Sequence, residues 1–268
     1  LLFHYNPYLS RVIVCTLQLQ CCCILSRECV LSSFNHAWRW LATGISFATF
    51  GLGALLFGLL LTPVAMMAAL TPWGRKPATQ RMIRRQIGRA MGFFVWLMHA
   101  LGVLDYRISD AESTSAEGPL LILANHPSLI DVVFLLAMFP ESQCVVKRAL
   151  WHNPFTHFIM RSSGYISNSD PAEILVKGLS SLERGNTLIL FPEGTRSVPG
   201  EPLKFMAGAA TMAVRSGCDI LPVLIQVSPT TLTKADRWYQ VPASKVLIQL
   251  QVLPRRRPDA AMLTEFGQ

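Results

Sequence analysis

The chain has 268 residues, 51% of them hydrophobic and only 15% charged, with 24 Lys and Arg against 16 Asp and Glu and a net charge of +8. Soluble domains carry about a quarter charged residues, so this composition excludes an ordinary soluble domain on its own, while the length leaves room for one domain plus an appendage. A basic balance asks for an anionic partner, and the position of the cations, directly after the longest apolar run, favours an acidic membrane surface over nucleic acid.

Residues 1–35 begin with Leu1 and hold five of the seven cysteines: Cys15, Cys21, Cys22, Cys23 and Cys29. Three adjacent cysteines match neither a disulfide framework nor the spaced pairs of a zinc site. This stretch is set apart as an N-terminal extension to which no function is attached. Residues 36–105 read as a membrane anchor with interfacial helices. No charged residue occurs in 41–70, and 41–61 alone is long enough to cross a hydrocarbon core of ~30 Å. Pro63 kinks or ends that helix, and 64–70 extends it with tilt or dips back into the interface. Trp38 and Trp40 at one end and Trp73 at the other stand where an aromatic belt places them. Arg75, Lys76, Arg81, Arg84, Arg85 and Arg89 follow, so the positive-inside rule puts the rest of the chain in the cytoplasm, with an inner-membrane location. The apolar stretch 91–104, with Phe93, Phe94 and Trp96, is too short to span and is expected as an interfacial helix.

From Tyr106 the pattern changes, and 106–268 is expected as one α/β domain. Apolar runs of strand length at 120–124, 143–147, 187–191, 220–227 and 245–253 alternate with helical stretches at 129–139, 171–184 and 205–216. Alternation of this kind predicts a mixed sheet flanked by helices. Pro171 after Asp170 is a good helix opening, and Gly185 and Gly217 are helix stops. Cys144 and Cys218 lie in or beside strand-like segments and are expected as reduced, buried thiols.

Two segments carry chemistry. Asn125-His126-Pro127-Ser128-Leu129-Ile130-Asp131 leaves a buried strand and opens a helix, and strand ends are where α/β proteins place reactive groups. Ser128 is placed to cap the helix. Asp131 in its first turn can face back to His126 and hold the imidazole in the tautomer that leaves one nitrogen free as a base. A capped helix with a hydrogen-bonded surface histidine gives the same local sequence. Phe191-Pro192-Glu193-Gly194-Thr195-Arg196-Ser197 also leaves a strand. Gly194 allows a tight turn, Glu193 can bond an acceptor hydroxyl, and Arg196 offers a fork for phosphate or carboxylate. A loop with a solvated Glu–Arg pair is the plain alternative. There is no Gly-x-Ser-x-Gly elbow, P-loop or His-Glu-x-x-His helix, and His152 and His157 are expected to play local structural roles.

Taken together, Asn-His-four residues-Asp followed some sixty residues later by Phe-Pro-Glu-Gly-Thr-Arg resembles the glycerolipid acyltransferase superfamily. Within it the chain looks most like bacterial 1-acyl-glycerol-3-phosphate acyltransferases and their lysophospholipid acyltransferase relatives. Leu221-Pro222-Val223 resembles the family's fourth block. The resemblance implies a catalytic pair of His126 and Asp131, with Asn125, Glu193, Gly194, Thr195 and Arg196 facing the substrate. It implies an acyl-CoA or acyl carrier protein donor, a membrane lipid acceptor, and neither cofactor nor metal. Lys147 and Arg148 offer cations to the donor's phosphates. Two positions depart from the family pattern. Asp170 stands where the second block ends in arginine, and Met206 replaces the lysine of Phe-Lys-x-Gly, with Lys204 nearby. Both missing cations are expected near an acceptor phosphate, which opens the alternative of a different lipid or polyketide-type acceptor. A membrane lipid-binding protein without catalysis is the remaining reading.

Overall fold

A computed structural model describes residues 34–56, 58–60, 63, 66–67, 70–72, 76–109, 118–237 and 239–258. Most of 61–75 and all of 1–33 lie outside these, and with them Trp73, the five N-terminal cysteines and the path of 64–70. Helix α1 (Phe34–Leu60) is 27 residues long with mean hydropathy 1.8, and its most apolar 18-residue window is only 12% buried. A helix this long and apolar, with its surface left bare, meets the length and composition of a membrane span. Its first turns are nonetheless tied to the domain. Arg39 donates through Nη1 to Pro242 O (3.0 Å) and through Nη2 to Ala243 O, and Trp38 Nε1 donates to Leu101 O.

Helix α2 (Pro77–Ala100) is one continuous element. The expected interfacial helix over 91–104 is therefore its C-terminal half, and 104 already belongs to a strand. Proline at the first helical position starts it, because that N–H has no intrahelical partner to lose. Arg81, Arg84, Arg85 and Arg89 of the basic cluster lie on α2, Lys76 is its N-cap and Arg75 lies outside the described residues; not all of those on α2 face outward. Arg84 is 1% exposed and donates to Glu141 O, Ser163 O and Asn186 Oδ1, while Arg85 pairs with Glu141. Expecting Arg84 on a membrane face was wrong, since periodicity does not reveal a buried cation whose partners are distant backbone carbonyls.

The sheet is α/β and mixed, as expected, with strands β1 (Leu104–Ser109), β2 (Leu120–Ala124), β3 (Gln143–Val146), β4 (Ile166–Ser167), β5 (Thr187–Leu190), β6 (Asp219–Ser228) and β7 (Val246–Val252). Their order is β1-β7-β6-β2-β5-β3-β4. All neighbours are parallel except β6 and β7. Helices α3 (Asp131–Met138), α4 (Arg148–His152), α5 (Pro154–Ser163), α6 (Pro171–Glu183) and α7 (Ala207–Ser216) connect them. The central strands read Leu-Leu-Ile-Leu-Ala and Thr-Leu-Ile-Leu, the near-continuous apolar runs of strands covered on both faces. Alternation divides them. Leu120, Ile122 and Ile189 join Phe94, Met98 and Phe134 in one core, and Leu121 and Leu188 join Leu182, Met212 and Ile220 in the other.

This topology places the two motif loops. Strands β2 and β5 are adjacent and parallel, with Leu123 opposite Leu190, so the loops that follow them emerge side by side at one sheet edge.

Candidate active site

His126 leaves β2 two residues beyond its last residue, and Asp131 opens α3. The imidazole Nδ1 lies 3.0 Å from Asp131 Oδ2, with the imidazole side chain 17% exposed and the carboxylate 0%. The same oxygen accepts the Ser128 backbone N–H at 2.6 Å. Burial pushes the Asp131 carboxyl up from its ordinary value, and the His126 and Ser128 hydrogen bonds act against that rise. With Nδ1 committed to Asp131, Nε2 is the nitrogen left to accept a proton. Ser128 does not cap α3, contrary to expectation. The N-cap is Ile130 without a side-chain bond, and Ser128 Oγ donates instead to Thr231 O (2.9 Å).

The second loop braces the first. Glu193 Oε1 accepts the His126 backbone N–H (3.0 Å), and the Ser197 N–H donates to His126 O (2.8 Å). Phe191 stacks on the imidazole, with ring centroids 4.1 Å apart and planes at 20°. Asn125 Nδ2 donates to Ile225 O (2.8 Å) and Asn125 Oδ1 accepts Ile225 N–H (2.7 Å), so this amide extends the ladder between β2 and β6 by one pair. Gly194 has φ +67, a left-handed turn that glycine alone adopts freely. Thr195 is exposed at its tip. Arg196 Nη1 donates to Leu232 O and Thr233 O, both at 2.8 Å.

Of the five residues expected on the substrate side, Asn125, Glu193 and Arg196 are held through hydrogen bonds to backbone, and Gly194 and Thr195 form the turn between the last two. Sequence reasoning missed the stacking of Phe191 and the segment 231–233. An aromatic residue at a strand end carries a visible signal, whereas backbone carbonyls carry none.

An apolar cleft of about 320 Å³ adjoins the site, lined in part by Asn125, Pro192, Phe205, Met206, Ala209 and Pro222. Met206 Sδ lies 2.7 Å from where a Cβ on Gly194 would stand. The position that would carry a lysine therefore packs a thioether onto the turn. Asp170 accepts the Ala172 N–H as the N-cap of α6. His152 and His157 each point Nδ1 at a nearby backbone carbonyl. Among the described residues, no group of three or more His, Cys, Asp or Glu is gathered to hold a metal ion.

Residues 105–226 match the family model described as Acyltransferase. This segment is similar to that family. It holds both motif loops and the strands β2 and β5 from which they emerge. The chain is 30% identical over 137 residues to the 1-acyl-sn-glycerol-3-phosphate acyltransferase of Pseudomonas aeruginosa, covering 49% of this chain and 53% of that protein. It is 31% identical over 149 residues to the Saccharomyces cerevisiae enzyme of the same name, covering 52% and 49%. The chain spans about half the length of the curated relatives it matches. The crystal structure of the 1-acyl-sn-glycerophosphate acyltransferase PlsC from Thermotoga maritima superposes with a TM-score of 0.64 at 19% identity, over 87% of this chain and 93% of that one. That likeness establishes the shared fold.

Proposed function

We propose that the chain is an O-acyltransferase that moves a fatty acyl group from a thioester, on coenzyme A or acyl carrier protein, to a hydroxyl of a lysophospholipid such as 1-acyl-glycerol-3-phosphate. The observation that carries this reading is the buried carboxylate of Asp131, 3.0 Å from the imidazole of a histidine that keeps 17% exposure at the mouth of the site.

The acceptor hydroxyl gives its proton to His126 Nε2 as its oxygen attacks the thioester carbonyl. The imidazolium formed is stabilised by Asp131 at Nδ1. The tetrahedral intermediate collapses with cleavage of the C–S bond, and the proton held by His126 passes to the leaving thiolate, so one ester and one thiol result and no covalent acyl-enzyme is required. General-base assistance is worth ~10²–10⁴ in rate. Asn125, Glu193, Gly194 and Thr195 form the acceptor-side wall, and the apolar cleft beside Asn125 has room for hydrocarbon. Helix α1 and the exposed Phe93 and Trp96 of α2 hold the site at the inner membrane, where its lipid acceptor resides, with 106–268 in the cytoplasm.

A specific observation favours a second reading, in which the acceptor is a less anionic lipid or a polyketide-type product. Met206 packs on Gly194 and Asp170 caps α6, so neither position offers the cation a phosphomonoester would use. A panel of lysolipids assayed with one labelled acyl thioester separates the two, strong preference for 1-acyl-glycerol-3-phosphate supporting the first. His126→Ala in washed membranes tests both. It is expected to lower turnover ~10²-fold or more while the protein stays in the membrane fraction, and undiminished turnover would reject His126 as the base.

A further inference from the structure

Arg196 belongs to the motif expected to grip an acceptor's phosphate, yet both hydrogens of its Nη1 go to the chain itself, at Leu232 O and Thr233 O. The segment they hold is tied a second time, to the His126 turn. Leu232 O also accepts the Leu129 N–H (3.1 Å), and Thr231 O accepts Ser128 Oγ (2.9 Å). Ser128 in turn donates its backbone N–H to the Asp131 oxygen that faces His126. Thr231, Leu232 and Thr233 are all buried, and Leu232 has φ +53, a left-handed conformation that side chains with a Cβ rarely adopt and that persists only where surroundings enforce it. A continuous set of hydrogen bonds therefore runs from Arg196 through 231–233 to Ser128, Asp131 and His126.

We infer that Arg196 is a positioning residue, which sets the rate by clamping the 231–233 segment against the turn that spaces His126 and Asp131. Its charge suits this task because a guanidinium donates two hydrogens from one nitrogen in a fixed plane, and the two carbonyls it meets belong to consecutive residues. The inference rests on the acyltransfer reading above, in which His126 is the base.

Steady-state kinetics on the full chain in membranes test it, with 1-acyl-glycerol-3-phosphate and an uncharged monoacylglycerol as acceptors. Arg196→Ala is expected to lower kcat on the order of 10²-fold for each acceptor that wild type uses, since misplacement by about 1 Å costs that much, with KM changed less than about threefold. A rise of about tenfold or more in KM confined to the phosphate-bearing acceptor overturns the inference. Ser128→Ala removes the opposite tie of the same segment. Combined with Arg196→Ala it is expected to give a kcat loss clearly smaller than the product of the single losses, as groups acting through one element are coupled. Independent, multiplicative losses count against it, and this cycle decides even if wild type uses only one acceptor. Should Arg196→Ala fail to fold, Arg196→Lys keeps the charge without the planar fork. The expectation is then the same acceptor-independent kcat loss, and wild-type kcat would show that charge alone suffices. A wild-type chain with no turnover on any acceptor, or an active His126→Ala variant, would instead sink the underlying reading.

Discussion

Gly194 is fixed by two demands at once. Its φ of +67 strains any side chain, and a Cβ there would stand 2.7 Å from Met206 Sδ. Gly194→Ala is expected to cost about 1–3 kcal/mol and to lower turnover, measured by thermal melting and acyl transfer on the same preparation. Asp131 poses the sharper question, because burial raises its carboxyl pKa. A raised folded-state pKa means the fold favours the protonated form. That contribution is fully present below the unfolded carboxyl's pKa and is lost as pH rises through the folded value. The ionised group that the proposed mechanism requires is therefore a burden on stability at neutral pH. Asp131→Asn can still accept the His126 and Ser128 hydrogens but cannot balance an imidazolium. The expected result is a melting temperature equal to or above wild type near pH 7 with kcat reduced on the order of 10²–10⁴. A large fall in melting temperature would show that the charge stabilises the fold. At this scale the sequence was informative. The spacing of His126 and Asp131 and the strand-to-helix setting put the carboxylate in reach, and glycine announced the turn. The roles of Ser128 and Leu232 were illegible, because one bonds a distant carbonyl and the other acts through its main chain.

Among the elements, α2 follows the long apolar helix α1 and packs on the sheet domain, and it does so by close approach. A Cβ on Gly88 would stand 2.4 Å from Pro140 Cβ and 2.8 Å from Leu136 O, so α2 meets the end of α3 nearly backbone to backbone. Arg84 seals the same contact, and its burial lowers its pKa to about 10, which still leaves it charged at neutral pH. Arg84→Ala would leave Glu141 O, Ser163 O and Asn186 Oδ1 without this donor, and each acceptor left unsatisfied in the interior costs about 1–3 kcal/mol. Denaturant melts are expected to show a loss of about 3 kcal/mol or more, with Arg85→Ala, whose partner Glu141 is solvent-exposed, costing about 0–1 kcal/mol. The strands of the central sheet were legible as apolar runs and α6 by its Asp170-Pro171 opening. Strand β4, two residues long, and the short α4 offer too few positions for any periodicity. Strand β1 alternates little because most of its residues are exposed, so it is defined by its pairing with β7, which is remote in sequence.

For the whole molecule, under the proposed function α1 and one face of α2 are the membrane-contacting surface and the C-terminal edge of β2 and β5 is the reacting one. Both cores exclude water from the sheet between them. Cys144 sits there at 0% exposure with its thiol pushed up to about 12, so it should resist alkylation in the native protein and react only on global unfolding, as peptide mapping after timed labelling would show. The most direct test of the central claim, acyl transfer from His126 and Asp131 onto a membrane lipid, is mass spectrometry of the membrane lipids from cells carrying the wild-type chain or His126→Ala at equal abundance. The expected result is a lipid heavier than its precursor by one esterified acyl group, formed with wild type and absent with the variant. The same product at equal levels with both chains, or no acylated product with either, would contradict it.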